Sequence, residues 1–316
     1  MHASPDIAGP SAAILFGGAR EVSLSPATLH DAGPADVVVD VAWSGISTGT
    51  ERLLWSGDMP PFPGLSYPLV PGYEAVGTVS WAGPDAGVEV GASVFVPGAR
   101  CHAGAASLFG AASSRLVVRS VRAVPLPDGL GCDGVLIALA ATAHRAVAAA
   151  PPELIVGHGV LGRLMARVTL ALGAPPPTVW ETNAVRRDGA TGYDVRDPAA
   201  DEAGDYRGIV DASGDAAVLD ALIPRMAKGS EIVLAGFYDR VSFAFPPAFM
   251  REARLRISAE FTPADLAAVT AMIERGALPL CGLVTHAMPA SDAGAAYETA
   301  FGDPACLKMV LDWSAR

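Results

Sequence analysis

The sequence predicts an α/β protein made of a small β-barrel domain and a six-stranded, doubly wound parallel sheet. Three observations carry this prediction. Residues 1–125 are rich in glycine, proline and β-branched residues, strands and helices alternate from Asp133 to Ala259, and a glycine-rich turn opens the helix at Leu161. The chain has 316 residues, whereas one domain typically has roughly 100 to 200. Two domains are therefore the natural expectation.

The composition excludes several classes of protein. Hydrophobic residues make up 51% of the chain and charged residues 17%, so the chain can bury large cores and is not disordered. The 22 basic and 33 acidic residues give a formal net charge of −11, which argues against a nucleic-acid partner. The four cysteines are too far apart for a local disulfide or zinc motif. They are Cys101, Cys132, Cys281 and Cys306.

No segment has the pattern of an export signal or a membrane span. Residues 1–6 have neither a basic nor an apolar region, and the apolar run 135–143 ends at His144 and Arg145. No uncharged apolar run reaches the roughly 18 residues that a membrane helix needs. We therefore expect a cytoplasmic protein without a transmembrane segment.

The first part of the chain is predicted to be an antiparallel sheet or small barrel. Short β-branched runs give five predicted strands, 12–15, 36–41, 75–79, 93–96 and 116–118. Between them, residues 51–71 are predicted to be a long irregular loop that carries Trp55, Phe62 and Tyr67. A loop of this length inside a compact domain usually has a function.

The second part alternates strands with helices, which indicates a parallel sheet with helices on both faces. Helices are predicted over 133–149 and 161–172. The six predicted strands are 154–156, 178–180, 192–195, 208–212, 231–235 and 255–259. After Thr262 the predicted elements are a helix over 263–275, a strand over 283–285, a helix over 291–300 and a strand over 306–311.

A glycine-rich turn lies between the first strand of the second part and its helix. It is a G-x-G-x-x-G sequence in the strand–turn–helix context that a dinucleotide site requires. The first glycine makes the turn, the second lets the backbone approach a pyrophosphate, and the third lets the helix pack on the strand. The predicted cofactor contacts here are Gly157, His158, Gly159, Val160, Leu161 and Gly162.

Glu181 favours NAD over NADP as the cofactor. It ends the next predicted strand, nineteen residues beyond Gly162, where an acid accepts hydrogen bonds from ribose hydroxyls and repels a 2′-phosphate. Arg186 and Arg187 follow closely and could instead receive a 2′-phosphate, which weakens this preference.

The turns after the fourth and fifth strands are expected to flank the nicotinamide. Ligands of open α/β sheets lie at the carboxyl ends of the strands, where these turns begin. The predicted contacts are Ser213, Gly214, Gly236 and Phe237.

The chain resembles the medium-chain dehydrogenase/reductase superfamily across nearly its whole length. The segment PGYEAVG at 71–77 is similar to that family's G-H-E-x-x-G segment, and SGISTGTE at 44–51 to its first catalytic loop. Further segments resemble the members that act on bacteriochlorophyllide a, namely 55–64, 67–74, 156–163, 244–254 and 303–313. The resemblance implies a GroES-like catalytic domain over 1–140, a Rossmann NAD-binding domain over 141–260, and a carboxyl segment over 261–316 that returns to the catalytic domain.

The resemblance also implies NAD-dependent oxidation of the 3-(1-hydroxyethyl) group of bacteriochlorophyllide a to 3-acetyl, in bacteriochlorophyll a biosynthesis. The loop with Trp55, Phe62 and Tyr67 could offer an aromatic face to the macrocycle, and His102 or His144 could bind its magnesium. For each of these residues, ordinary packing is the alternative. Because an apolar pigment can be exchanged at a membrane surface, peripheral contact with the photosynthetic membrane is left open, as is a homodimer.

The chain departs from its zinc-dependent relatives at the metal positions. Those enzymes hold catalytic zinc with Cys, His and usually a second Cys, whereas the matching positions here are Ser47, Tyr73 and Ala138. For the structural zinc, the region after Pro97 offers only Cys101. We therefore expect a zinc-free enzyme with no metal site.

Without a metal, removal of the proton from the substrate hydroxyl would depend on protein side chains. The candidates are Tyr73, Ser47 and Thr48, with Glu74 or Glu51 orienting them. We hypothesise that conjugation of the new ketone with the macrocycle lowers the need for a Lewis acid. Two other functions stay open: a zinc-free quinone or enone reductase, which would favour NADPH, and a non-catalytic pigment-binding protein.

Overall fold

The computed structural model describes residues 10–61 and 63–314, so Phe62 of the predicted aromatic loop lies outside the described residues. The chain forms two compact units. The first unit contains the residues up to Ala138 together with those from Cys281 onward, and the second unit is Leu139–Leu280.

The strands and helices of the described residues follow in chain order. The strands are β1 (Ser11–Gly18), β2 (Glu21–Leu29), β3 (Asp36–Ile46), β4 (Ala75–Ala82), β5 (Ser93–Val96), β6 (His102–Ala103), β7 (Arg115–Arg119), β8 (Val124–Pro125), β9 (Leu154–Val156), β10 (Thr178–Trp180), β11 (Asp194–Arg196), β12 (Tyr206–Asp211), β13 (Met226–Leu234), β14 (Arg254–Ile257), β15 (His286–Pro289) and β16 (Met309–Asp312). The α-helices are α1 (Thr50–Ser56), α2 (Ile137–Val147), α3 (Val160–Ala171), α4 (Leu219–Leu222), α5 (Phe245–Arg251), α6 (Pro263–Glu274) and α7 (Ala293–Gly302).

The first unit is built on mostly antiparallel strands. Within the described residues, one sheet has the order β15-β16-β3-β4-β5-β8, with β7 also paired to β3, and a second has the order β1-β2-β6. β3 is the central strand, because β4, β7 and β16 all pair with it. Its valines at 37, 38 and 39 are all buried, as expected for a strand that is covered on both faces. The pairing of β16 with β3 joins the end of the chain to the amino-terminal sheet.

The second unit contains the predicted six-stranded parallel sheet. Over the described residues 139–280, its order is β11-β10-β9-β12-β13-β14, and every neighbouring pair is parallel. The order reverses between β9 and β12, so the carboxyl ends of these two strands form a topological switch point, where open α/β sheets bind ligands. The fold-class prediction is confirmed.

Local signals position the helices of the second unit. α3 starts directly after the glycine-rich turn, and its apolar side chains Leu164, Met165 and Val168 are buried. α6 begins with a capping box, in which the Thr262 hydroxyl accepts from the Asp265 N–H and the Asp265 carboxylate accepts from the Thr262 N–H. These signals explain why both helices begin within one residue of their predicted positions.

Several predicted elements are wrong in detail. The predicted loop 51–71 begins as helix α1, which ends at Gly57 in the left-handed conformation (φ 82°). The strand predicted over 283–285 forms instead at His286–Pro289, where it pairs with β16. Short 3₁₀ turns, at Ala184–Arg186 and Pro198–Ala200, stand where a doubly wound fold would have helices after β10 and β11.

The second unit extends beyond the predicted end of the Rossmann domain at residue 260. Helix α6 belongs to the second unit, whereas the predicted division assigned it to the carboxyl segment. The physical reason is a contact made inside the second unit: Asp265 Oδ1 lies 2.8 Å from Nδ1 of His144 on α2. Among the described residues, no helix combines the length and apolar character needed to cross a membrane.

Candidate functional site

The glycine-rich turn of the second unit is closely packed on one side and open on the other. Gly157 has φ 95°, and a Cβ there would lie 3.2 Å from the Ser213 backbone nitrogen in the turn after β12. A Cβ at Gly162 would lie 1.8 Å from the Gly157 carbonyl oxygen, so helix and turn pack too closely for any side chain. A Cβ at Gly159 would meet open space. The open side of the turn is therefore at Gly159, where a pyrophosphate could approach the backbone.

Glu181 is held beside this turn by two backbone donors. Its Oε2 accepts a hydrogen bond of 2.9 Å from the His158 N–H, and its Oε1 accepts one of 2.8 Å from the Asn183 N–H. The side chain is largely buried. Each carboxylate oxygen keeps a second lone pair, which could accept a ribose hydroxyl. The position of Glu181 therefore suits the predicted role.

His158 is fully buried, and both nitrogens of its ring have hydrogen-bond partners inside the protein. Its Nδ1 lies 2.6 Å from the Arg186 carbonyl oxygen and its Nε2 lies 2.8 Å from the Tyr193 hydroxyl. Burial lowers the pKa of His158 to about 4, so the ring is neutral. Because a carbonyl only accepts, the proton is assigned to Nδ1, and Nε2 accepts from Tyr193. The His158 side chain therefore offers no free group to a cofactor, and its backbone N–H already donates to Glu181.

The remaining residues of the turn begin α3. Val160 is buried and Leu161 is half-buried. The structure therefore brings together all six residues of the predicted motif in one strand–turn–helix unit.

The turns after β12 and β13 meet at the same edge of the sheet. A Cβ at Gly236 would lie 2.9 Å from the Gly214 nitrogen, so these two predicted contacts touch. Asp211, at the end of β12, accepts a hydrogen bond of 2.6 Å from the Tyr238 hydroxyl, and burial raises its pKa. Phe237 is 45% exposed. Its ring is therefore free to contact a ligand.

In the first unit, the structure brings Ser47 and Tyr73 together. Ser47 follows β3 and Tyr73 precedes β4, and their hydroxyl oxygens are 2.5 Å apart. Burial, and then the nearby Glu74, raise the pKa of Tyr73 well above its usual value, while hydrogen bonding with Ser47 and Thr50 opposes the shift. The phenol therefore stays protonated. Thr48 is half-buried and, among the described residues, makes no hydrogen bond with this pair. Thr50 hydrogen-bonds Tyr73 instead and was not among the predicted site residues.

Glu74 lies beneath this pair as one partner of a buried ion pair. Lys308, directly before β16, donates to Glu74 Oε2, and both side chains are almost completely inaccessible to solvent. Within the described residues, Glu74 Oε1 has no hydrogen-bond partner, and burial raises the pKa of Glu74 against the effect of Lys308. The Glu74 carbonyl accepts from the Gly45 N–H at 2.8 Å. Glu74 thus acts as a structural support that touches the segment before Ser47.

Glu51 adds a second buried carboxyl to the same region. Its Oε2 accepts a hydrogen bond of 2.9 Å from the Tyr297 hydroxyl on α7, and its Oε1 has no partner among the described residues. Burial, and then the charge of Glu74, raise the pKa of Glu51 to about 8. At neutral pH Glu51 is therefore mainly in its neutral form.

The positions that match zinc ligands in other members hold groups that bind zinc poorly. Ser47 and Tyr73 hydrogen-bond to each other, and Ala138 is a buried residue of α2. In residues 10–61 and 63–314, no three His, Cys, Asp or Glu side chains gather as metal ligands would.

The other predicted pigment contacts pack within the protein. The Trp55 ring lies 5.3 Å from Phe301 and 5.1 Å from the Arg20 guanidinium. The Tyr67 hydroxyl donates to the Leu54 carbonyl. His102 is buried with its pKa lowered by burial to about 4, and His144 is bonded to Asp265 in the second unit. The described part of the predicted aromatic loop therefore supports its own unit.

Known proteins resemble this chain along most of its length. Residues 33–152 match the alcohol dehydrogenase GroES-like domain. The chain is 57% identical over 305 residues to 2-desacetyl-2-hydroxyethyl bacteriochlorophyllide A dehydrogenase of Rhodobacter capsulatus, covering 95% of this chain and 97% of the relative. It is 55% identical over 312 residues to the protein of the same name from Cereibacter sphaeroides, covering 96% and 98%.

Solved structures show the same fold. A short chain alcohol dehydrogenase from Escherichia coli CFT073, solved with the cofactor NADH, superposes with a TM-score of 0.81 over 96% of this chain and 100% of its own. Its sequence identity is 19%, so the likeness concerns the fold alone.

Proposed function

Because the chain belongs to the family of 2-desacetyl-2-hydroxyethyl bacteriochlorophyllide a dehydrogenases, within the medium-chain dehydrogenase/reductase superfamily, we propose that it oxidises the hydroxyethyl group of a bacteriochlorophyllide a to acetyl with NAD. The observation that carries this proposal is 57% identity over 95% of the chain, which spans both units. The activity in the relatives' name favours this function over an enone reductase or a pigment carrier.

The reaction is a two-electron oxidation of a secondary alcohol. The carbinol C–H bond breaks with its electron pair, the O–H bond breaks to release a proton, and a C=O bond forms. A nicotinamide, when bound, accepts the hydride. The protein must bind both molecules, orient the carbinol and remove one proton.

Ser47 and Tyr73 would hold the hydroxyl and carry its proton. Because the phenol of Tyr73 stays protonated, Tyr73 cannot simply act as a base. It can accept the proton at its oxygen while it passes its own to Ser47, whose hydroxyl is 2.5 Å away and releases its own proton to solvent. Such a transfer needs no ionised phenol. The new carbonyl is conjugated with the macrocycle, which lowers the need for a Lewis acid.

The choice of NAD rests on Glu181. Its carboxylate is fixed beside the glycine-rich turn, where it could accept the hydrogen bonds of a ribose diol. A 2′-phosphate at the same place would meet a fixed negative charge. The proposal places the protein in the cytoplasm, with peripheral access to the membrane that holds the pigment.

Purified protein mixed with hydroxyethyl bacteriochlorophyllide a and NAD tests the proposal. The expected result is a shift of the red absorption band of the pigment, together with loss of two hydrogens in its mass. NADP should support a much slower change. Pigment that binds without any NAD-dependent shift would contradict the enzyme function and favour a pigment carrier.

A further inference from the structure

The segment after β10 is fixed to the glycine-rich turn by a buried histidine. His158 uses four groups, all inside the second unit. Its N–H donates to Glu181, its carbonyl accepts from Arg163, its Nδ1–H donates to the Arg186 carbonyl, and its Nε2 accepts from Tyr193. The distances lie between 2.6 and 3.0 Å. A residue named only as part of a phosphate-binding motif thus also connects this turn with the segment that follows Glu181.

Arg163 also connects the glycine-rich turn with the segment after β10. Its Nε donates to the His158 carbonyl at 3.0 Å, and its Nη2 donates to the carbonyls of Arg186 at 3.0 Å and Asp188 at 2.7 Å. A Cβ at Gly189 would lie 2.6 Å from Nη1, so the segment packs directly on the guanidinium. The side chain is 5% exposed. One planar group therefore bonds the turn and the segment at once.

Carbonyl groups, and no carboxylate, surround this cation. Within the described residues, no Asp or Glu oxygen lies within 4.0 Å of the Arg163 guanidinium nitrogens. An unpaired buried charge is costly for a purely structural contact. A positive charge beneath a phosphate-binding turn, however, would attract a bound pyrophosphate.

Contacts in the same segment also fix the charged groups that would lie near a bound ribose. Both oxygens of Glu181 are held by backbone N–H groups, so the carboxylate cannot turn away from an incoming phosphate. Arg187, which could have received a 2′-phosphate, instead bonds Asp197 at 2.9 Å and the Thr182 carbonyl at 3.1 Å. The acid is therefore fixed in place, and this arginine is engaged elsewhere.

We propose that His158 and Arg163 are positioning residues that set the cofactor selectivity of this site, because they fix residues 181–189 in the arrangement that accepts a ribose diol and refuses a 2′-phosphate. The proposal rests on the proposed function, since it presumes a nicotinamide dinucleotide. It adds to Glu181 two residues that need not touch the ribose themselves.

Calorimetric titration of the full chain with ADP-ribose and with its 2′-phosphorylated form tests the proposal without turnover. The variants are Arg163→Met, Tyr193→Phe and, as a control, Arg167→Met on the same helix, whose guanidinium bonds the Pro279 carbonyl. Wild-type protein should bind ADP-ribose at least about tenfold more tightly than the phosphorylated form. Arg163→Met should reduce this ratio at least about tenfold, and Arg167→Met should preserve it.

Tyr193→Phe keeps the test decisive if Arg163→Met does not fold. It removes only the hydroxyl that bonds His158 Nε2, and it should reduce the ratio by about threefold. The proposal is overturned if folded variants keep the wild-type ratio, or if Arg167→Met lowers it as much as Arg163→Met does. Wild-type protein that binds neither ligand would overturn the proposed function as well, whereas an unchanged ratio with tight wild-type binding overturns this proposal alone.

Discussion

Lys308 donates a hydrogen bond to Glu74 in the interior of the first unit, although 234 positions separate the two residues in the sequence. Neither side chain is accessible to solvent beyond 1%. The pair joins β16, near the end of the chain, to the residue that follows Tyr73. The position of the predicted catalytic pair thus depends on a distant part of the chain, for which no local sequence pattern predicts this contact.

Lys308→Met should destabilise the protein by about 3–5 kcal/mol, because it leaves the Glu74 carboxylate buried and unpaired. Urea unfolding measures this free energy. The matched control is Lys228→Met, which removes a lysine whose ion pair with Glu252 is about two-thirds exposed and should change stability by less than about 1 kcal/mol.

The double variant Glu74→Gln with Lys308→Met should recover part of this loss, because no buried charge then remains. A double variant as unstable as Lys308→Met alone would argue against charge pairing as the cause.

Tyr73→Phe should lower turnover by about 10² to 10⁴, since it removes the hydroxyl that would carry the substrate proton. The variant keeps the ring, whose edge contact with Phe109 has a centroid distance of 5.2 Å, so folding should be preserved. Steady-state kinetics with the pigment, alongside NAD titration, separates the two effects. An unchanged turnover number would remove Tyr73 from the proton path.

Gly159→Ala should weaken NAD binding at least about tenfold while the fold stays intact. The backbone there has φ −71° and a Cβ would meet open space, so alanine fits without strain, but its methyl group would occupy the side from which a pyrophosphate approaches. Gly204→Ala is the control, because its Cβ also meets open space, in an exposed loop of the same unit. Equal NAD affinities in the two variants would contradict a pyrophosphate site at this turn.

The contribution of Glu51 to stability should fall as pH rises from about 4.5 to about 8. Its folded-state pKa of about 8 lies above its ordinary value of 4.5, so between these values the folded protein binds a proton that the unfolded chain has released. The contribution to the slope is up to about 1.4 kcal/mol per pH unit.

Glu51→Gln should remove this contribution and so change the slope, and Glu298→Gln, at an exposed position beside Tyr297, should leave the slope unchanged. Denaturant unfolding at several pH values measures both. A slope that is the same in the wild type and in Glu51→Gln would show that Glu51 ionises normally.

The sequence predicts the second unit better than the first for a physical reason. Strands 154–156 and 178–180 form as predicted, because short apolar runs next to glycine and proline favour a buried parallel strand. The glycine-rich turn also forms as predicted, because its conformation depends on spacing within six residues. In the first unit, the key contacts join distant residues: Glu51 meets Tyr297 across 246 positions.

No periodic pattern in the sequence predicts that a lysine will be buried. Lys308 lies at the start of an apolar run, and its charge predicts exposure, which the ion pair with Glu74 overrides. The same holds for Arg163, which follows the last glycine of the motif and would be expected on the surface of a helix. Pairings of this kind are decided by tertiary structure.

The most direct test of the proposed oxidation is the stoichiometry of its two products. In one sample of wild-type protein, hydroxyethyl bacteriochlorophyllide a and NAD, acetyl pigment and NADH should form in equal amounts, because each C–H bond that breaks delivers one hydride. Acetyl pigment without NADH, or NADH without acetyl pigment, would contradict the proposal that this chain is an NAD-dependent dehydrogenase of that pigment.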